Sequence, residues 1–235
     1  MFMAKVKIQA YLVLALLLCG CASTGTHQAA ARLYFLNETA LQERQFAPAP
    51  LPGSAADKAD FAALHDWQDK RTVEQCARAH AESHATFEEF FGDSNPFEKP
   101  LPKEVSVFFN KVLIDTDEAV SVLKKRNNRP RPFWRDSTLN PCLGRIGGLA
   151  YPSGHATLSR MDALILAYLV PAQKDLFIAK ADEAANYRII GGVHHPSDIA
   201  AGKQLAESLF PEFMANPQFR AELDGLRKYL AAPAL

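Results

Sequence analysis

Three short segments of this 235-residue chain carry side chains that could bind and transfer a phosphoryl group. Cations can neutralise phosphoryl oxygens, one histidine can attack phosphorus, a second can donate a proton, and a carboxylate can orient the attacking ring. The inventory suits a phosphatase with a histidine nucleophile, and it calls for no metal ion. The chain offers this set between positions 124 and 198: Lys124, Arg131, His155, Arg188, His194 and Asp198.

The first segment is basic and ends a predicted helix. Arg131 stands between Pro130 and Pro132, and these prolines restrict the backbone that carries its guanidinium. A rigid planar fork suits bidentate recognition of phosphate. Lys124 lies in the last turn of the predicted helix, where the helix dipole also favours cations. A solvated basic helix end is therefore the alternative for this segment taken alone.

The second segment, Tyr151-Pro152-Ser153-Gly154-His155, precedes another predicted helix. Ser153 suits the N-cap position, and Gly154 permits close approach of the backbone. The free N–H groups of a helix start can bind phosphate oxygens, and His155 would face the bound anion from the first turn. The alternative is a simple cap and turn with a structural histidine.

The third segment supplies a second histidine, a carboxylate and another cation. Pro196 suits the first turn of a helix, and Asp198 would lie in that turn. Its carboxylate could reach back to one imidazole nitrogen of His194, set the tautomer and leave the other nitrogen free as a nucleophile. The alternatives are a capping pair and the neighbouring His195. The spacing to Asp198 and to Arg188 favours His194.

The pattern Lys-x6-Arg-Pro, Pro-Ser-Gly-His and Arg-x5-His-x3-Asp resembles the signature of the type 2 phosphatidic acid phosphatase (PAP2) superfamily. Within it the chain resembles class A bacterial non-specific acid phosphatases, over nearly all of the mature sequence. The similarity includes Phe35-Leu36-Asn37 and Asn216-Pro217-Gln218-Phe219. One departure is Tyr187, because the family usually has serine before the arginine of the third motif. It removes a hydroxyl from the site and leaves the catalytic groups in place.

The resemblance implies an acid phosphatase that hydrolyses small phosphate monoesters with broad specificity and no cofactor. It implies that His194 attacks phosphorus to form a phosphohistidine, that Asp198 orients His194, and that His155 protonates the leaving alcohol and then activates water. A protonated His155 with a neutral His194 implies an acidic pH optimum. The phosphoryl oxygens would be bound by five residues: Lys124, Arg131, Ser153, Gly154 and Arg188.

The first 20 residues predict a lipoprotein signal peptide. Two lysines precede an apolar run over residues 11–18, which is too short to span a bilayer as a helix. Cys21 follows Gly20 in a sequence that resembles a lipobox, which predicts lipidation of Cys21. This leader implies a periplasmic protein anchored to the outer membrane through Cys21. The alternative is a secretory peptide cleaved near Ala22, which would give a soluble periplasmic protein.

The charge balance argues against nucleic acid as a partner. The chain has 26 basic and 26 acidic residues, and loss of residues 1–20 with their two lysines leaves 24 against 26. A near-neutral protein exerts no long-range attraction on nucleic acid. With Cys19 removed and Cys21 lipidated, Cys76 and Cys142 remain, and the sequence leaves a disulfide and two free thiols equally open. A homo-oligomer also stays open.

Apolar residues recur at three- and four-residue steps, without strand alternation or an internal repeat. We therefore predict an all-α, single-domain helical bundle over residues 57–235, preceded by a lipidated cysteine and a Pro/Ala-rich tether or arm over residues 21–56. The length suits one domain with a full core. The predicted helices cover residues 57–69, 72–91, 103–125, 153–170, 171–188, 196–209 and 217–231.

Other functions remain open at this point. A lipid phosphatase at the membrane surface would fit lipidation of Cys21, although relatives with lipid substrates are usually polytopic. A vanadium haloperoxidase shares the core motifs but is usually much longer, and a non-catalytic phosphate-binding lipoprotein would not need both histidines. His80, His84 and Glu88 could form a metal-binding face on one predicted helix. A solvated face is favoured there, because no further ligand cluster converges in the sequence.

Overall fold

The computed structural model describes residues 33–92 and 94–231, which belong to one compact unit. The predicted signal peptide, the predicted lipidation of Cys21 and the first part of the predicted tether lie outside the described residues. Within them the structure is helical, and the only extended pairing is an isolated bridge between Phe97 and Leu230. The predicted all-α class is confirmed.

Most of the helices follow one another closely, whereas longer segments precede the helices that begin at Ala55, Lys103 and Gly154. None of the helices in the described ranges combines the length and the apolar character that a membrane span needs. Two 3₁₀ segments, Pro171–Gln173 and Leu226–Tyr229, complete the structure. The α-helices of the described residues are α1 (Glu38–Glu43), α2 (Ala55–Lys70), α3 (Val73–Ala81), α4 (Phe87–Phe91), α5 (Lys103–Asn127), α6 (Pro132–Arg135), α7 (Gly154–Leu169), α8 (Lys174–Ile190), α9 (Pro196–Ala215) and α10 (Pro217–Gly225).

Helix α7 lies at the centre of the bundle and packs against α5, α8 and α9. Its buried residues include Met161, Ile165 and Leu166, which are fully inaccessible. They occur on more than one side of the helix, as expected for a helix enclosed by neighbours. Because Ser153 caps this helix by accepting from the Ala156 N–H, the predicted N-cap is confirmed. The second motif therefore lies at the buried start of the central helix.

A cluster of phenylalanines joins the start of the described chain to the bundle. The ring of Phe35 contacts those of Phe108, Phe213 and Phe219 at centroid distances of 5.2 to 6.2 Å. The backbone N–H of Phe35 also donates to the buried carboxylate of Asp115 at 2.7 Å. Aromatic pairs of this kind add stability beyond the area they bury. This part of the predicted arm, together with α1, is packed on the helices.

The single helix predicted over residues 72–91 is two helices in the structure, α3 and α4. Ala85 has a left-handed backbone with φ of 55°, which ends helical continuity. Thr86 then caps α4 by accepting from the Glu89 N–H. The new direction of the chain buries Phe87, Phe90 and Phe91 in the core. The single helix face on which His80, His84 and Glu88 could have formed a metal site therefore does not exist.

Helix α9 is longer than the predicted range of 196–209 and ends at Ala215, with Pro211 inside it. Proline removes one helical hydrogen bond, but Leu209 and Phe213 on either side of it are fully buried. Their packing keeps the chain helical through the proline. Tertiary contacts thus decide where this helix ends.

Cys76 and Cys142 form a disulfide whose Cα atoms are 6.0 Å apart. The sequence had left this bond and two free thiols equally open. The bond joins α3 to the loop that precedes the Pro-Ser-Gly-His motif. It closes a sequence separation of 66 residues, and constraining a long loop of the unfolded chain stabilises the folded state.

Candidate active site

The three sequence motifs meet at one pocket of about 410 Å³. Its walls come from α5 between Leu113 and Lys124, the start of α7, the end of α8, the segment that precedes α9, and loop residues at positions 83–85, 131 and 146. Asp198 lies directly behind it, in contact with His194. The sequence-predicted residues that line the pocket are Lys124, Arg131, Gly154, His155, Arg188 and His194.

His194 is buried at the inner end of the pocket. Its Nδ1 is 3.3 Å from Oδ2 of Asp198, and its Nε2 is 2.6 Å from Nη1 of Arg131. Because a guanidinium only donates hydrogen bonds, Nε2 is the acceptor and the ring proton is on Nδ1, facing Asp198. Burial and the charge of Arg131 hold the pKa of His194 well below its ordinary value. The ring is therefore neutral, and its Nε2 lone pair accepts from Arg131 at the pocket.

His195 competes for the same carboxylate but lies outside the pocket. Oδ2 of Asp198 accepts from the backbone N–H of His195 at 2.8 Å and is 2.9 Å from its Nδ1. The His195 ring is fully inaccessible and packs edge-on against Phe61. Asp198 thus contacts both histidines, and the closer contact is to His195. Access to the pocket, rather than distance to Asp198, distinguishes His194.

Arg129 forms a buried ion network behind Asp198 that the sequence analysis missed. Its Nη1 donates to Oδ1 of Asp198 at 2.6 Å and to Ser197 at 2.7 Å, while its Nη2 donates to Asp60 at 2.9 Å and to Asp57 at 3.3 Å. In the sequence Arg129 is one cation in a basic run. The three-residue spacing of Asp57 and Asp60 on one predicted helix was the available signal, but it did not name a partner.

The network keeps two of its carboxylates, Asp57 and Asp198, ionised. Burial would raise the pKa of Asp198, but hydrogen bonds from His194 and His195 hold it well below its usual range. Bidentate hydrogen bonds from Arg135, at 2.7 and 2.8 Å, hold the pKa of Asp57 low in the same way. Burial opposes the charge of Arg129, yet the nearby carboxylates raise its pKa. These charges are therefore permanent and mutually compensated.

The cations of the pocket are less well paired. Lys124 donates to the carbonyl of Leu149 at 2.7 Å, and burial with the nearby Arg131 lowers its pKa to about 8. Arg131 donates to the carbonyls of Val193 and Gly147 at 3.0 and 3.2 Å, and burial lowers its pKa to about 10. Its Nε has no partner among the described residues.

Arg188 is the least satisfied of these cations. Its Nε and Nη1 are buried and find no hydrogen-bond acceptor in the described part of the chain. Burial and the charge of Arg131 lower its pKa to about 10. Buried charged donors without acceptors are costly, and an anion in the pocket could accept from them.

The start of α7 faces the pocket with its backbone. Gly154 lines the pocket, whereas the side chain of Ser153 is fully buried and caps the helix. The Ser153 N–H donates to the Asp198 carbonyl at 3.0 Å, which ties the second motif to the third. At Gly202 a Cβ would lie only 2.5 Å from the Ser153 carbonyl. This glycine, which the sequence analysis did not single out, lets α9 approach α7.

His155 lies in the first turn of α7. Its Nε2 is 2.6 Å from the Glu82 carbonyl, so the ring proton is on Nε2 and Nδ1 is an acceptor in the neutral form. Burial and Arg188 lower the pKa of His155 to about 3. Phe90 packs edge-on against the ring. A dianion in the pocket would offset the cations that now disfavour the imidazolium.

Tyr187, which replaces the family serine, does not line the pocket. Its hydroxyl donates to Glu183 at 3.1 Å, and its ring lies 5.9 Å from the guanidinium of Arg78. The residues of the suggested metal-binding face have other partners: His80 contacts the Cys142 carbonyl and His84 contacts Glu89. Across residues 33–92 and 94–231, no cluster of His, Cys, Asp and Glu has the arrangement of a metal site.

Residues 105–220 of the chain match the model of the PAP2 superfamily. The matched range runs from α5 into α10 and contains every residue that the motifs predicted for the pocket. The chain therefore carries a PAP2 superfamily domain, and the resemblance stated from the motifs is confirmed.

Curated relatives of this chain are acid phosphatases by name. It is 29% identical over 132 residues to the non-specific acid phosphatase of Providencia stuartii, which covers 54% of this chain and 52% of that protein. It is 33% identical over 114 residues to the acid phosphatase of Zymomonas mobilis, covering 46% and 42% of the two chains. The chain thus spans about half the length of these relatives.

A solved structure shares the fold. The crystal structure of a bacterial vanadium-dependent iodoperoxidase superposes with a TM-score of 0.56 at 18% identity, covering 79% of this chain and 55% of that one. At this identity the likeness concerns the helical architecture alone. It agrees with the all-α bundle described above.

Proposed function

We propose that this protein is an acid phosphatase that hydrolyses phosphate monoesters through a phosphohistidine on His194, without a metal ion. The observation that carries the proposal is a neutral His194, whose Nε2 accepts from Arg131 in the pocket, beside buried guanidinium atoms that have no acceptor among the described residues, above all those of Arg188. The similarity to proteins named acid phosphatase supports the same activity.

Substrate binding would satisfy the pocket cations. The phosphoryl oxygens accept from Arg188, Arg131 and Lys124, together with N–H groups at the start of α7. The contact between Arg131 and Nε2 of His194 is then exchanged for a contact to phosphate, which frees the lone pair. Fixed cations around a spread negative charge are where such a site gains most of its rate.

The chemical steps follow from the positions of the two histidines. Nε2 of His194 attacks phosphorus while the P–O bond to the alcohol breaks, and Asp198 stabilises the positive ring through Nδ1. His155 gives a proton to the leaving oxygen. The neutral His155 then takes a proton from water, whose oxygen attacks phosphorus and breaks the P–N bond. His194 returns to its neutral form and inorganic phosphate leaves.

Hydrolysis of p-nitrophenyl phosphate by the purified full chain, from pH 4 to 8 with excess EDTA, tests the proposal. We expect turnover that resists EDTA and is greatest below neutral pH, because His155 must carry a proton to act as an acid. Rapid quenching should trap an acid-labile phosphoryl group that is absent from His194→Ala. Turnover that EDTA abolishes and a metal restores, or a label that persists in His194→Ala, would contradict it.

We further propose that the protein is a periplasmic lipoprotein anchored to the outer membrane through Cys21. The leader sequence supports this location, and so does the disulfide between Cys76 and Cys142, because such bonds persist in oxidising compartments. Radiolabelled palmitate should enter the wild-type chain and the Cys19→Ser control, but not Cys21→Ser. Equal labelling of Cys21→Ser would reject the assignment of Cys21.

A further inference from the structure

A second pocket of about 250 Å³ adjoins the phosphate pocket. The two share Leu113 of α5 and Leu158 of α7 as lining residues, and Thr86 of the second pocket follows Ala85 of the first along the chain. A molecule held in the first pocket could therefore extend over the two leucines into the second.

A ligand that occupies both pockets would run along one side of α7. His155, Leu158 and Asp162 are separated by three and four residues, so they lie on one side of the helix. His155 and Leu158 line the first pocket, and Leu158 and Asp162 line the second. Seven residues of α-helix correspond to about 10 Å. Asp162 therefore lies about 10 Å along α7 from the histidine that faces the leaving group.

Asp162 is a buried acid that the proposed phosphatase chemistry does not use. Its side chain is 1% exposed, and Oδ1 has no hydrogen-bond partner among the described residues. Phe109, Leu113 and Leu158 of the same pocket are apolar. Burial, with the nearby Glu88, raises the pKa of Asp162 well above its usual value. A buried polar atom without a partner calls for an explanation, and a bound ligand supplies one.

The charged residues that line the second pocket are acidic, whereas those that line the first are mainly basic. Two acidic residues, Asp162 and Glu88, line it, and the lining within the described part of the chain includes no Lys, Arg or His. Asn110 and Ser106 add neutral acceptors. An ammonium group offers three donors and would be matched by one carboxylate and two neutral oxygens. The adjoining leucines suit methylene groups.

We propose that the second pocket is a leaving-group subsite for a primary ammonium, so that the protein prefers phosphate monoesters of amino alcohols whose nitrogen lies about 10 Å from the ester oxygen. This inference rests on the proposed function, because the phosphate pocket holds the other end of the substrate. Asp162 is the main partner of the ammonium. It gives up its proton to solvent on binding, and the resulting carboxylate pairs with the cation.

Binding of non-hydrolysable phosphonates to the full chain tests the subsite without requiring turnover. Calorimetry would compare 6-aminohexylphosphonate with hexylphosphonate, which differ only in the terminal amine. We expect the wild type to bind the amine at least about 10-fold more tightly, as a charge-assisted hydrogen bond out of water would give. 2-Aminoethylphosphonate should bind no more tightly than ethylphosphonate, because its nitrogen cannot reach Asp162.

Two variants complete the test. Asp162→Asn keeps the shape of the side chain and should remove the preference for the longer amine. Asp175→Asn changes an exposed carboxylate at the start of α8 and should keep the preference. For each variant, the dissociation constant of hexylphosphonate is divided by that of 6-aminohexylphosphonate. Both ligands make the same phosphonate contacts, so this ratio isolates the contribution of the amine. If Asp162→Asn does not fold, the chain-length comparison in the wild type still decides.

Equal binding of the two six-carbon phosphonates by the wild type, or a preference that persists in Asp162→Asn, would overturn the inference. Turnover of p-nitrophenyl phosphate by the same preparations keeps the two proposals apart. Turnover without an amine preference defeats the subsite alone. An amine preference without turnover supports the subsite and defeats the hydrolytic function.

Discussion

Arg129 and Arg188 are both 5% exposed and lie on either side of the His194–Asp198 pair, but they differ in how many hydrogen-bond acceptors they find. Behind Asp198, Arg129 donates to three carboxylates and a hydroxyl. In the pocket beside His194, Arg188 has two buried N–H-bearing atoms without an acceptor in the described chain. Nearby carboxylates raise the pKa of Arg129, whereas burial and Arg131 lower that of Arg188 to about 10.

The difference separates a structural cation from a binding cation of the same residue type. A buried guanidinium that is paired with carboxylates through both terminal nitrogens, as Arg129 is, stabilises the fold because its removal would leave uncompensated carboxylates. An unpaired one costs stability in the empty protein and recovers that cost when an anion binds. Pairing, rather than burial or residue type, thus distinguishes the two regions, and variants on each side should respond differently.

The largest effect is expected from the two histidines that share Asp198. His194→Ala removes the proposed nucleophile and should lower kcat by about 10⁴-fold or more. His195 lies outside the pocket, so His195→Ala should keep kcat within about 10-fold of the wild type. It should lower the free energy of unfolding by about 1–3 kcal/mol, because it removes a buried hydrogen bond to Asp198. Kinetics with p-nitrophenyl phosphate and urea unfolding measure both. Loss of turnover in His195→Ala with activity retained in His194→Ala would reverse the assignment.

Arg129→Met should produce the largest loss of stability. It leaves Asp60 and Asp198 buried without their cation, which costs about 3–5 kcal/mol. Urea unfolding at neutral pH measures this loss. Lys125→Met provides a control, because it removes an exposed cation four residues away and should change stability by less than about 0.5 kcal/mol. Similar stabilities for the two variants would show that the network is not structural.

Arg188→Ala should show the opposite pattern. Loss of an electrostatic donor to the transition state should lower kcat/KM by about 10²- to 10³-fold. Stability without phosphate should change by less than about 1 kcal/mol, because the lost packing is offset by removal of unpaired buried donors. Arg188→Lys should recover part of the activity. A loss of stability as large as that of Arg129→Met would remove the contrast between the two arginines.

The smallest expected effect is the pH dependence of the free energy of unfolding when the pocket is empty. The pKa of His155 is lowered to about 3 in the fold and is about 6.5 in the unfolded chain. Between these values the unfolded state binds more protons, so the free energy of unfolding falls as pH decreases. Between pH 6.5 and 4.5 this contribution is about 2 kcal/mol. It should be absent in His155→Gln.

Inorganic phosphate sharpens this comparison. A bound anion favours the protonated ring and raises the pKa of His155 in the folded state. Urea unfolding with saturating phosphate should therefore show a weaker pH dependence than unfolding without it. The same pH dependence with and without phosphate would indicate that the anion does not bind beside His155.

Much of the fold was predictable because local signals specify helices. Spacing of apolar residues predicted an all-α chain, and Ser153 and Pro196 marked the starts of α7 and α9 as the structure has them. The helix break at Ala85 and the extension of α9 past Pro211 were not predictable in this way. Both depend on burial of phenylalanines that are brought together only in the folded bundle.

The sequence by itself determined which catalytic and phosphate-binding residue types the pocket contains. Within each motif the spacing is short, so it also sets which side chains lie next to one another at a helix start. Only the tertiary structure decided which histidine faces the pocket, since His194 and His195 both contact Asp198. It also decided that Arg129 is paired with Asp57 and Asp60 from a helix about 70 residues earlier, whereas Arg188 is not. Such pairing depends on contacts distant in sequence, and local periodicity contains no information about them.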